Sequence, residues 1–144
     1  MADFDKAFAE LMECEGGWSD DRNDPGGLTR FGISSKAHPE VDLAGLTIEK
    51  AKEFYRKNYW EPAGCGQVED QELAEELFKA AVNIGLGRAR LIYRSIMNMN
   101  FSGPECAWLL RLRTFELNLV KYYAGLKGFN SFGRGWIHRI LGDD

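Results

Sequence analysis

The feature that most constrains this chain is a break. A helical pattern of apolar residues, Phe4, Phe8, Leu11 and Met12, runs in from the N-terminus and stops at Gly16-Gly17. Side chains three and four apart share one helical face. Asp3 stands where an N-cap belongs, and the glycine pair stands where a helix ends. A stretch rich in Gly, Pro and Asp follows, from Ser19 to Gly27. Its core, Asn23-Asp24-Pro25-Gly26-Gly27, is turn chemistry, and the residues after it, Leu28 to Ile33, are β-prone. The chain must therefore form a helix, then a small β-hairpin or ordered loop, before anything else.

The remainder reads as helix. Thr47 is placed to N-cap a helix carrying Ile48, Ala51, Phe54 and Tyr55, which runs through Asn58-Tyr59-Trp60 and breaks before Pro62. Residues 70–83 form another helix, with Leu73, Leu77, Phe78, Ala81 and Val82 apolar, ended by Gly85 and Gly87. A shorter one follows through Leu91, Ile92 and Ile96. Ser102-Gly103-Pro104-Glu105 is a capping box that opens the longest helix, about Pro104 to Leu126. That helix is apolar on most sides, which predicts a central, largely buried position. A last segment runs from Phe132 to Leu141. The fold class is mainly α with one small β element.

At 144 residues and 44% hydrophobic, the chain is long and apolar enough to bury a core without disulfide or metal staples. Cys14, Cys65 and Cys106 have no framework spacing, and the two histidines give no zinc pattern. Cys14 lacks a neighbouring base and reads as a packed thiol. Charge is uneven: residues 1–78 carry 18 acidic and 8 basic side chains, residues 79–144 carry 4 and 10. The basic C-terminal half suits either an anionic polymer or a solvated helix surface. Its arginines are dispersed, so nucleic acid is not the expected partner. The N-terminus has no signal-peptide pattern, and no stretch is long enough to span a bilayer. The expectation is synthesis in the cytoplasm and action on the outside only after release.

One carboxylate stands out. Glu15 falls at the end of the first helix, near the negative end of its dipole, which disfavours the ionised form. A carboxyl group that keeps its proton near neutral pH is a general acid, suited to protonating a glycosidic oxygen. Asp24 follows after eight intervening residues and Thr29 after four more. A loop folding back from the helix end can set either of them about 6.5–9.5 Å from the acid, with room for a water between. Asp24 is equally a turn-capping residue, Thr29 an ordinary strand residue, and Asp20 or Asp21 an alternative to Asp24. For sugar contacts the candidates are Trp18, Tyr59 and Asn83, each with a packing or capping alternative; Trp60, Trp108 and Trp136 read as core. Nothing in the pattern asks for a cofactor or metal.

Several motifs share a resemblance. Glu15-Gly16-Gly17-Trp18, Asn23-Asp24-Pro25-Gly26-Gly27, Thr29 and Gly32-Ile33 resemble the signature of the glycoside hydrolase family 108 muramidases. Tyr55 to Trp60 and Ala80-Ala81-Val82-Asn83-Ile84-Gly85 resemble that family's next two segments. Phe129 to Leu141 looks like the end of its predicted peptidoglycan-binding region. The resemblance implies a lysozyme-like fold that cleaves the bond between N-acetylmuramic acid and N-acetylglucosamine, with Glu15 as catalytic acid. It implies a catalytic region over 1–90 and a helical peptidoglycan-binding region over 91–144, packed as one unit. The partner is then the glycan strand of peptidoglycan, and release through a holin fits a phage-type endolysin. Two residues depart from the pattern. The gap before Thr29 is one shorter than in phage lysozymes, and Lys79 stands where relatives often carry an acid. The alternatives are a lytic transglycosylase on the same bond and a non-catalytic wall-binding or secretion accessory module.

Overall fold

A computed structural model describes residues 1–15, 28–99 and 107–141, without the side chains of Cys14, Glu15, Phe132, Trp136, Arg139 and Leu141. The described chain is mainly helical, with a two-stranded antiparallel sheet after the first helix, as the sequence predicts. It divides into two compact units, Phe4–Asn58 and Tyr59–Asp144 together with Met1–Asp3.

In the first unit, α1 (Phe4–Glu15) buries Phe4, Ala7, Phe8 and Leu11, the face set by their spacing. Strands β1 (Thr29–Arg30) and β2 (Ile33–Ser34) pair with Thr29 opposite Ser34 and Arg30 opposite Ile33. Phe31 and Gly32 form the two-residue turn, with φ of 52° and 76°. Two successive left-handed residues match the twist of the flanking strands. Gly32 takes that conformation freely, whereas Phe31 carries a Cβ into it.

Helix α2 (Ile48–Tyr55) opens on Thr47, whose Oγ1 accepts from the Lys50 amide at 3.3 Å. It buries Ala51 and Tyr55. Ile48, expected on that face, is instead 40% exposed, because it sits in the first turn at the edge of an open hollow beside Phe8 and Met12. Asp5 of α1 pairs with Lys52 at 3.0 Å and Arg56 at 3.3 Å, and the Arg56 guanidinium lies 4.5 Å from the Phe4 ring centre.

The helix expected to break before Pro62 changes pitch instead. Arg56–Trp60 is a turn of π-helix, and α3 (Glu61–Ala63) continues from it with Pro62 in the first turn. Pro62 has no amide N–H, so it gives no bond back into the π-turn. The Asn58 side chain donates to the Phe54 carbonyl at 2.9 Å, so the widened turn does not orphan that acceptor.

In the second unit, α4 (Gln71–Ile84) is capped by Asp70, whose Oδ1 accepts from the Leu73 amide at 2.8 Å. It is followed by α5 (Leu86–Met97), α6 (Ala107–Ala124) and α7 (Phe129–Leu141). Helix α4 packs on α5 and α6, and α6 packs on α7. The central helix is α4, not α6: Leu73, Ala74, Leu77, Phe78, Ala80 and Ala81 are all buried. Each fully buried large side chain, such as Phe78 or Phe115, contributes roughly 1.5–3 kcal/mol. Helix α6 buries one stripe, Leu112, Phe115, Leu119 and Tyr123, while Trp108, Leu109, Leu110 and Leu117 face outward. Its apolar coat is wider than its neighbours cover, so Trp108, expected in the core, is 41% exposed.

Gly85, at φ 85°, is at once the C-cap of α4 and the N-cap of α5. Gly87, expected to help end α4, therefore lies in the first turn of α5. Met1–Asp3 are fastened to this unit. The Ala2 amide donates to the Val68 carbonyl at 3.0 Å, and the Gln71 side chain accepts from the Asp3 amide and donates to its carbonyl. The expected glycine stop at 16–17, the capping box at 102–105 and the side chain of Trp136 lie outside the described residues.

Candidate active site

Glu15 is the last residue of α1, at the end where the sequence predicts the candidate acid. The last turn of that helix carries no basic residue, so nothing local to the helix offsets the negative pole there. The Glu15 side chain lies outside the described residues, as do Trp18 and Asp24 entirely.

Thr29 is in β1 and partly exposed. The hairpin that carries it is fixed from three directions. The Tyr55 hydroxyl, on a residue only 1% exposed, donates to the Phe31 carbonyl at 3.0 Å. The Arg30 guanidinium donates through Nη1 to the carbonyls of Leu43 and Ala44 at 3.0 and 2.9 Å. The Ser35 amide donates to the Leu28 carbonyl at 2.9 Å and closes the open end. These bonds hold the backbone that carries the Thr29 hydroxyl in place. Neither Tyr55 nor Arg30 stood out in the sequence. Tyr55 reads as an apolar face residue, and only the fold shows where its hydroxyl goes.

Tyr59 and Asn83 belong to the second unit. Tyr59 is partly exposed in the π-helical turn, an irregularity frequent at functional sites. Its neighbour Trp60 is core as expected, 6% exposed and edge-on to Phe78 at 5.5 Å. Asn83 is exposed in the last turn of α4, and its side chain has no hydrogen bond among the described residues. It is not spent on capping its own helix, so its amide is available to a ligand. One turn earlier, Lys79 pairs with Glu76 at 2.5 Å, both side chains mostly covered. The departure from the family pattern at Lys79 is thus absorbed by an ion pair within α4.

Burial pushes the Cys65 thiol up to about 12, which leaves it an inert packing group rather than a nucleophile. Among the described residues no three His, Cys, Asp or Glu side chains converge to hold a metal ion. No described helix is long and apolar enough to cross a membrane.

A helix ending at a carboxylate, a short hairpin after it and a run of helices later in the chain make up a lysozyme-like fold. The chain belongs to glycosyl hydrolase family 108, whose model matches residues 8–85, more than half of the sequence. That range contains Glu15, Trp18, Asp24, Thr29, Tyr59 and Asn83. Membership places the protein among the glycoside hydrolases. The fold is also that of the solved structure of Brucella abortus SagA, with a TM-score of 0.75, 24% identity, and coverage of 95% of this chain and 88% of that one. No curated protein matches the sequence.

Proposed function

We propose that the protein is a peptidoglycan hydrolase of the N-acetylmuramidase type, cleaving the β-1,4 bond from N-acetylmuramic acid to N-acetylglucosamine with Glu15 as general acid. The observation that carries this reading is the family match, because it spans the residues assigned to the chemistry. Glu15 gives its proton to the glycosidic oxygen as the bond from the muramic acid anomeric carbon breaks. The sugar passes through an oxocarbenium-like state, and water adds to that carbon. The departing sugar gains a hydroxyl, the muramic acid gains a reducing end, and the proton lost by water restores the carboxyl pair.

Asp24 and Thr29 are assigned to the water, Asp24 accepting its proton and Thr29 orienting it. The bonds that fasten the hairpin support the role of Thr29. Trp18 offers a ring to a sugar face, Tyr59 a second aromatic surface, and Asn83 an amide to an N-acetyl group; the unspent amide of Asn83 supports that last assignment. Residues 1–90 are the catalytic region in this reading. Residues 91–144 hold the wall, and their net positive charge suits an anionic cell-wall polymer. An endolysin released through a holin is the biological setting proposed.

The test is mass analysis of digested peptidoglycan, wild type beside Glu15→Gln. The expected outcome is reducing muramic acid ends from the wild type, with turnover lost in the variant while its melting temperature is kept. Anhydro-muramic ends would reassign the enzyme as a lytic transglycosylase. Undiminished activity in Glu15→Gln would remove Glu15 from the mechanism.

A further inference from the structure

The second unit has a cavity of about 300 Å³ lined by Gln67, Glu69, Asp70, Tyr93, Trp108 and Arg111, with apolar walls from Val68, Leu73 and Met97. Its volume is at the small end for ligand sites, with room for a dipeptide or a single sugar. Three of its groups are unspent. Arg111 Nε is buried and has no hydrogen-bond partner. A buried donor left unpaired is costly, and a buried arginine Nε with no acceptor on it suits a carboxylate that arrives from outside. The Tyr93 side chain makes no hydrogen bond among the described residues. Burial raises the pKa of that hydroxyl, as does the nearby Glu69 carboxylate, while Arg111 lowers it, so at neutral pH it is a protonated donor close to both Arg111 and Glu69. Trp108 offers a 41% exposed indole at the mouth.

The charges are mixed. Glu69 and Asp70 face the same space as Arg111, and Asp70 commits Oδ1 to the Leu73 amide. A polyanion would meet two carboxylates here, and a simple cation would meet the guanidinium. A compact ligand that carries both signs satisfies all of them. We propose that this cavity binds a free, zwitterionic amino acid or short peptide. The carboxylate lies on Arg111 and Tyr93, the ammonium faces Glu69 and Asp70, and the aliphatic body packs on Trp108. A peptide stem on a wall glycan has an acylated amino terminus and lacks the ammonium, so the ligand is a free amino acid or peptide. The inference does not depend on turnover, since the residues belong to none of the proposed catalytic groups.

The experiment is a titration of the full chain followed by NMR of the Trp108 indole and Arg111 Nε–H signals. Alanyl-alanine is the first probe, with its N-acetylated and C-amidated forms as controls. Saturable shifts are expected with alanyl-alanine, weakened at least several-fold by either cap. Arg111→Met should weaken binding roughly tenfold or more and Tyr93→Phe about threefold, as befits a charge-assisted and a neutral hydrogen bond. Tyr93→Phe keeps the ring and decides the matter if Arg111→Met fails to fold. A wall disaccharide-peptide, whose stem amine is acylated, should bind as weakly as the N-acetylated control, and tight binding by it would overturn the proposal. Absence of saturation, or saturation that survives either cap or both substitutions, overturns the proposal. Because binding is read without lysis, that result would leave the hydrolase reading untouched.

Discussion

Tyr55→Phe removes one oxygen and little else. The ring stays packed, 6.0 Å from Phe8 and 5.7 Å from Phe54 between centres, so the burial of Tyr55 is kept. What is lost is the 3.0 Å donation to the Phe31 carbonyl. A hydrogen bond of this kind is worth about 1 kcal/mol net, rising to about 1–3 kcal/mol where the acceptor is left dry. Phe31 is half-buried, so about 1–2 kcal/mol is expected. The bond also helps to hold a non-glycine residue at φ 52°, so its loss should loosen the turn more than its energy alone suggests. In urea, with a slope of about 2 kcal/mol/M, the midpoint should fall by about 0.5–1 M. Amide exchange at Ser35, which closes the hairpin, should quicken. If Thr29 orients the water, kcat should drop while KM holds, since the hairpin carries the hydroxyl and not the proposed sugar contacts. An unchanged urea midpoint together with unchanged exchange at Ser35 would refute the idea that Tyr55 governs the hairpin.

Three further outcomes follow from the second unit. Gly85→Ala should destabilise by about 1–3 kcal/mol, although nothing lies within 4 Å of the added methyl. The cost is purely that of φ 85° with ψ 148°, and calorimetry of Gly85→Ala beside Gly87→Ala, which is helical and equally open, separates backbone strain from crowding. Cys65 should resist alkylation at pH 8 until denaturant is added, since a thiol with a pKa near 12 is about one part in ten thousand thiolate there. Its linkage has a definite sign. Below about pH 9 the thiol is protonated folded or unfolded, and its burial favours the folded state in full. Above pH 9 the unfolded chain gains by ionising, and stability falls on the order of 1 kcal/mol per pH unit towards pH 12. Cys65→Ala should flatten that alkaline loss relative to wild type in denaturant melts taken between pH 8 and 11.

The sequence disclosed those parts of the fold that rest on local chemistry. Asp70 and Thr47 cap helices because their short side chains reach backbone amides three residues on, and that geometry is written in the residue order. The breadth of α6 misled for a physical reason. Periodicity says which side chains are apolar, not how much neighbouring surface exists to cover them, and Leu110 and Leu117 stay outside. The π-turn was hidden because a one-residue change in hydrogen-bond register leaves the apolar pattern almost intact, and Pro62 imitates a stop. At the site, the position of Glu15 at a helix end was legible from Gly16-Gly17. The tether from Tyr55 to Phe31 spans 24 positions, and the neighbours Glu69, Tyr93 and Arg111 are brought together only by helix packing. No motif announces either.

The fastening of Met1–Asp3 bears on the order of assembly. Asp3 and Gln71 are 68 positions apart, yet the side chain of one grips the backbone of the other at both amide and carbonyl. In topological terms residues 4–58 are an insertion within the other unit, which cannot be complete until both flanks of the insertion exist. On the ribosome the first three residues emerge early and must wait for α4 to be made. Closing so long a loop carries an entropic cost that local helix formation does not. A fragment beginning at Tyr59 would lack three residues of its own unit, so restoring them as a separate Met1–Asp3 peptide, or grafting them ahead of Tyr59 through a short linker, is the rational way to isolate it.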